Sequence, residues 1–344
     1  MPQIKDILDT LQAWAPPAVA WERDNIGVLV GDAAQEVTRV LVCLDITPEV
    51  VEEAVREGAQ LIVAHHPVIF HPLKSLRTDA PQGALLAALL THGIGVIAAH
   101  TNADAARGGL NHELARRLGL TDVSVLDPAQ GQQRRLWLRL PRDPALIDTL
   151  LAALRDTDNA DAVQSGGDDD SVTIEVTAPS WRVRIVRSLV ERTLGDLPFT
   201  LSEARLEGPV PEYGIGAVGT LGSALPVRDF LSGVKSALGC EMLRVSTFEE
   251  EQRIRRVAVC SGAGSSYIRS AMAAGADALV TGDLTHHYFL DHRDGILLVD
   301  AGHFHTERLF IELCAGMLEK WSFENSKKID ILQARTNTNP ICFV

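Results

Sequence analysis

The chain has 344 residues, 46% of them hydrophobic, enough for at least one large core and for two or three domains. Its 32 Lys and Arg stand against 45 Asp and Glu, and the formal net charge of -13 opposes non-specific attraction to nucleic acid or to an anionic membrane. Five cysteines, odd in number and without a C-x-x-C pair, argue against a disulfide framework and against a thiolate zinc site.

The opening MPQIKDILDTLQAWAPP mixes charges into an amphipathic pattern and lacks the basic and apolar regions of a secretory signal. No later stretch approaches the roughly 18 unbroken apolar residues of a membrane-spanning helix, so a cytoplasmic protein is expected. From 37 to 45, VTRVLVCLD reads as a strand, and TPEVVEEAVREG as a helix with Val50, Val51, Ala54 and Val55 at helical spacing and Gly58 as its stop. QLIVAHHP predicts a second strand, PQGALLAALLTHG a helix opened by Pro81, and IGVIAAH (94–100) a third strand. Strands alternating with helices in this way predict an α/β fold with a mostly parallel sheet.

The pattern changes near GQQRRLWLRLP (131–141) and returns at PEYGIGAVGTL (211–221). The residues between read as strand (RRLWLRLP), helix (DPALIDTLLAALRD), strand (SVTIEVTAP), helix (SWRVRIVRSLVERTLG) and strand (PFTLSEARLEG), a small α+β unit of ferredoxin-like rhythm. The acidic run SGGDDDS (165–171) reads as a solvated turn rather than a metal loop. Residues 1–128 and 212–344 are thus expected to form two halves of one α/β domain, interrupted by an insert over 129–211. In the C-terminal half, IRRVAVCSG, DALVTGD and GILLVD predict strands, SSYIRSAMAAGA a helix, and THHYFLDHRDG a helical or irregular link. TERLFIELCAGMLEKW predicts a final helix whose stripe from Leu309 to Trp321 packs on the sheet.

Three polar clusters share one topological address. His65 and His66 follow the second strand, HTNAD (100–104) follows the third, and GHFHTE (302–307) follows the last. Ligand sites of open α/β sheets lie outside the carboxyl ends of the strands, so all three clusters can line one site. Pro67 holds His66 in extended backbone where the strand turns. His303 and Glu307 share a face if the final helix starts near 303, and His305 then points roughly 200° away from His303. Each cluster also has a plain reading: a hydrogen-bonded histidine pair, Asp104 as a helix N-cap, and an exposed i,i+4 pair of His303 with Glu307. Together they favour a metal site. Imidazole with carboxylate is the ligand set of Zn, Fe, Mn or Ni, and five such ligands shared by two divalent ions leave positions open for a substrate. SGAGSS (261–266) lacks the Lys of a P-loop and the third Gly of a dinucleotide fingerprint, and reads as a tight glycine turn.

On DNIGVLVG (24–31), LVCLDIT (41–47), VAHHPVIF (63–70), AAHTNADAARGGLN (98–111), YGIGAVGTL (213–221), SGAGSS, VTGDLTHHYFLD (280–291) and DAGHFHTE (300–307), the sequence resembles the GTP cyclohydrolase I type 2 homologue family, also called the Nif-three-like family. The resemblance implies a dinuclear metal centre with ligands His65, His66, Asp104, His303 and Glu307, the last as a bridge. It further implies a toroidal homohexamer and, in longer members, a central insert resembling the PII-like or CutA-like fold. No HPYEE-like stretch occurs near GDLPFTLSEARLEG, a departure from that pattern, and His286 is an extra beside the expected His287.

The function expected is a metal-dependent hydrolase in which activated water attacks a small-molecule nucleotide, pterin-like or phosphoester substrate. His100 and His287 are candidates for proton transfer or for orienting metal ligands, because histidine titrates near neutral pH. The competing reading is a metal-binding regulatory or interaction scaffold.

Overall fold

The computed structural model describes residues 1–157, 160–292 and 295–344. These divide into two compact units, Met1–Asp127 with Glu212–Val344, and Pro128–Pro211. Among the described residues no helix is long and apolar enough to cross a membrane.

The first unit is α/β and holds two sheets. In the five-stranded sheet the order is Gly27–Val30, Gly95–Ala98, Leu61–Ala64, Arg39–Cys43 and Asp330–Gln333. The last four run parallel, and Gly27–Val30 is antiparallel at the edge. Arg39–Cys43 shows why the continuous apolar run is a strand covered on both faces: Val40 and Val42 join one core, Leu41 and Cys43 the other. Helices Pro48–Glu57 and Pro81–Thr91 supply Val50, Val51, Ala54, Leu86 and Leu89 to the second of these cores. Thr47 caps the first helix by accepting from the Val50 N–H, and Gly58 ends it at φ +69°, where a left-handed residue is needed.

The six-stranded sheet has the order Arg244–Val245, Leu297–Asp300, Ala278–Gly282, Arg253–Ala263, Pro209–Pro226 and Thr121–Gln130. Only its three central strands run parallel, with Arg244–Val245 and Pro209–Pro226 paired antiparallel to their neighbours. The expected mostly parallel sheet is therefore two sheets, one with a single antiparallel edge strand and one with antiparallel strands on both sides of a parallel centre. Helix Leu309–Glu324, with Phe310, and helix Leu110–Arg117 contribute to the same core as inward residues of both sheets, among them Val40, Val63, Val257, Val280 and Val299.

The second unit has its own core of Leu, Val and Ile beneath a four-stranded antiparallel sheet ordered Asp161–Gly167, Ser171–Pro179, Gln133–Pro141, Thr200–Leu206. Helices Pro144–Arg155 and Val183–Leu194 connect these strands in a β-α-β-β-α-β order. Strand Asp161–Gly167 is absent from the sequence reading because it is an edge strand with only Ala162 buried, so it carries no alternating apolar pattern. The run read as a turn over 165–171 is narrower: Asp168 Oδ1 accepts the backbone N–H groups of Asp170 and Ser171, an Asx turn joining two strands. In the link over 285–295 the structure has helix His286–Asp291, and Arg293 and Asp294 lie outside the described residues.

Strand Asp330–Gln333 is also missing from the sequence reading, since four residues of mixed polarity give no periodic signal. Buried Glu53 fixes the chain that follows it, accepting from Arg335 N, Thr336 N and Thr336 Oγ1 at 2.9, 3.0 and 2.6 Å. Glu53→Ala leaves these donors without their carboxylate and is expected to cost about 1–3 kcal/mol, read as a lower urea midpoint. An unchanged midpoint would contradict the clamp.

Candidate metal centre

Strand Leu61–Ala64 ends just before the histidine pair, and the backbone of His65 and His66 continues by donating to the carbonyls of Cys43 and Leu44. The turn lets both rings reach one site, with centroids 5.1 Å apart. Asp104 closes the short helix Thr101–Asp104 rather than opening one, so the N-cap reading does not hold for it. His303 and Glu307 lie four apart on helix His303–Glu307, which follows Gly302 at φ +85°. Five residues from three strand ends are thereby brought together, and His100 stands beside them, its ring 5.2 Å from His65 and 5.4 Å from His66.

Each histidine is oriented through Nδ1. His65 Nδ1 lies 2.9 Å from the carbonyl of Ala99, which can only accept, so this ring carries its proton there. His66 Nδ1 meets Asp45 Oδ1 at 2.7 Å, His100 Nδ1 meets Asp24 Oδ1 at 2.8 Å, and His303 Nδ1 meets Asp283 Oδ2 at 2.7 Å. Four Nδ1–H groups thus point outward, and the Nε2 atoms are left to the site.

What those atoms meet is mainly acceptors. Glu307 Oε2 lies 2.8 Å from His303 Nε2 and 3.0 Å from His66 Nε2, and its Oε1 lies 3.8 Å from His65 Nε2. His65 Nε2 is also 3.8 Å from Asp104 Oδ2, and the Nε2 atoms of His66 and His303 are 3.4 Å apart. His65 Nε2 and Glu307 Oε2 are buried with no partner in hydrogen-bond geometry. Three sets of ligand atoms lie within 4.8 Å of one another: His65 with Asp104 and Glu307; His66 with His303 and Glu307; His65 with His66 and His100. Imidazole nitrogens and carboxylate oxygens converging on orphaned buried atoms fit a divalent metal.

The surrounding electrostatics point the same way. Burial pulls the His66 imidazole down, but Asp45 and Glu307 outweigh it and raise it to about 10. Glu307, against burial and helped by Asp283, raises His303 to about 9. Burial would raise Glu307, yet His303, His65 and His66 hold it well below the usual carboxylate range. Burial raises Asp104 despite the opposing charge of His65, with Glu307 adding to the rise. Asp24 is lowered to about 2 because hydrogen bonds from His100 and Thr101 overcome its burial.

Several supporting residues escaped the sequence reading. Ser261 Oγ donates to Asp104 Oδ1 at 2.7 Å, and Asn111 ties both sides together by accepting from Ser261 N and donating to the Asp104 carbonyl. Gly262, within SGAGSS at φ +59°, passes so close to the site that a Cβ there would sit 2.2 Å from Glu307 Oε1. The glycine turn is the wall over Glu307, and that buried carboxylate opposes the phosphate of a dinucleotide. Asp24, Asp45 and Asp283 lay inside quoted motifs, but no spacing ties each to its histidine. His305 belongs to none of the three sets. His287 belongs to none either: it is exposed on its helix, with its ring 5.5 Å from that of His286.

Fold and site together define an α/β protein with a buried histidine–carboxylate cluster able to hold metal ions. The model of the Duf34/NIF3 family (NGG1p interacting factor 3) matches residues 2–340, and the chain belongs to that family. A Halalkalibacterium halodurans protein named GTP cyclohydrolase 1 type 2 homolog is 30% identical over 370 residues, covering 98% of each chain. A Bacillus subtilis protein of the same name is 30% identical over 374 residues, covering 99% of this chain and 98% of its own. Among solved structures, a Bacillus cereus protein related to NIF3 superposes with a TM-score of 0.87 at 29% identity, covering 100% of this chain and 99% of that one.

The metal-free chain holds protons on His66 and His303 that a metal must displace. Their folded values lie above the ordinary 6.5, so their stabilisation is full below that pH and is lost as pH rises through about 9 and about 10. Urea midpoints of the metal-free chain should therefore fall across that window, while apparent metal affinity rises across it. Flat profiles in both measurements would contradict the assignment.

Proposed function

We propose that this chain is a dinuclear-metal hydrolase acting on a nucleotide, pterin-like or phosphoester substrate. The observation carrying the proposal is the convergence of Nε2 atoms and two buried carboxylates on a site where His65 Nε2 is buried without a hydrogen-bond partner. His65, Asp104 and Glu307 would hold one ion, and His66, His303 and Glu307 the other, with Glu307 shared. Zn, Fe, Mn and Ni all accept this donor set. When bound, a pair of such ions supplies Lewis acidity and activates water near neutral pH.

The chain's own groups do the rest. Asp45 and Asp283 keep the rings of His66 and His303 from rotating, and Ser261 with Asn111 fixes Asp104. Asp24 retains the proton on His100 Nδ1, which leaves Nε2 as the atom that takes up or delivers a proton beside the reacting group. The name shared by the relatives supports a nucleotide as the first substrate class to assay. The same reading takes the chain to assemble as a homohexamer, and sedimentation as a monomer would contradict that part alone.

The metal-loaded chain should turn over at least one member of a panel of purine nucleotides, pterin phosphates and aryl phosphoesters. His100→Ala should lower kcat roughly 100-fold with metal content unchanged. A fully loaded native chain inert towards the whole panel would overturn the hydrolase and leave a metal-binding scaffold.

A further inference from the structure

The chain beyond strand Asp330–Gln333 is pinned beside the metal centre. After the Glu53 clamp, Thr338 Oγ1 donates to Asp45 Oδ2 at 2.7 Å, on the carboxylate whose other oxygen meets His66. Asn337 and Asn339 then bend the backbone, their side-chain oxygens accepting from Asn339 N and Ile341 N at 3.1 and 3.2 Å. The residues up to Ile341 are thereby tied to the carboxylate that meets His66.

Those residues line a cavity of about 420 Å³ that also reaches His303 and Asp283, so it adjoins the metal centre directly. Ile341 and Phe343 from the C-terminal segment share its lining with Met242 and Phe304. Ile341 and Phe343 are each 53% exposed, and Met242 52%, so the cavity presents apolar surface that the fold leaves wet. Arg244 adds a polar margin: it pairs with Asp300 and lies 5.6 Å from the Phe289 ring, while its side chain stays 59% exposed. Apolar side chains lining the cavity together with Arg244, Asp283 and His303, and a volume in the range of small-molecule pockets, describe a site for a small ligand with an apolar ring.

We infer that this cavity is a subsite for the planar, apolar ring of a ligand whose donor atoms reach the metal centre, with Ile341 and Phe343 selecting for that ring. The inference rests on the metal-centre reading above and adds the class of group bound beside it. Covering the half-exposed side chains with a ring removes apolar surface from water on both partners, which favours binding in proportion to the area covered.

Two hydroxamates that share a metal-binding head test it on the zinc-loaded full-length chain: benzohydroxamate carries a ring and acetohydroxamate a methyl group. Titration calorimetry should give at least about tenfold tighter binding of benzohydroxamate. That preference should be lost in the Ile341→Ala/Phe343→Ala double variant, with zinc content and acetohydroxamate affinity unchanged. A chain ending at Asn339, which keeps Thr338 on Asp45, should behave as the double variant does. A preference that survives in both variants, or none in the native chain, overturns the subsite and leaves the metal centre standing. A native chain that takes up no zinc and binds neither compound overturns both.

Discussion

The site depends on a single constraint, the outward direction of four histidine Nδ1–H groups. His65 gives its proton to a main-chain carbonyl, while His66, His100 and His303 each face an aspartate. Once those protons are placed, the Nε2 atoms have only lone pairs to offer, and they converge with Glu307 and Asp104. A buried pocket of acceptors facing acceptors is unfavourable unless cations fill it. Protons do so in the metal-free chain, which is why His66 and His303 are raised and Glu307 is lowered together. A divalent metal fills the same need with more charge per ion and stricter geometry.

The fold meets that constraint by ending strands at one place. Leu61–Ala64 and Gly95–Ala98 are neighbours in the first sheet and deliver His65, His66 and His100 within a few residues of their ends. The second sheet delivers His303 and Glu307 after Leu297–Asp300, and its strand Arg253–Ala263 brings Ser261 and Gly262 over the carboxylates. The core binds these contributions together, since Phe310, fully buried within it, also packs 4.9 Å from the His65 ring. Loss of a large side chain there would loosen both the core and the orientation of the His65 imidazole.

How much of this was legible in the sequence follows from the range of each interaction. Strand-end clusters such as HHP and GHFHTE announce themselves because apolar runs locate the strand and the polar residues follow at once. The aspartates that orient the histidines do not, because Asp24 and His100 are 76 positions apart and nothing local links them. Gly262 read as a tight turn, and only its distance to Glu307 gives that turn a purpose. Strands Asp161–Gly167 and Asp330–Gln333 were illegible for a different reason: neither has the alternating apolar pattern by which a strand is recognised. The parallel rhythm of the N-terminal half was legible, but the antiparallel margins of the second sheet were not, since pairing direction at an edge has no signature within one strand.

The central claim is that Glu307 is shared by two ions. Titration of the metal-free chain with Zn²⁺, monitored by calorimetry and by elemental analysis after gel filtration, tests it most directly. Two ions per chain are predicted for the native protein, with both weakened in Glu307→Gln and only one in Asp104→Asn. A native chain that binds a single ion, or a Glu307→Gln chain that retains two at native affinity, would contradict the account.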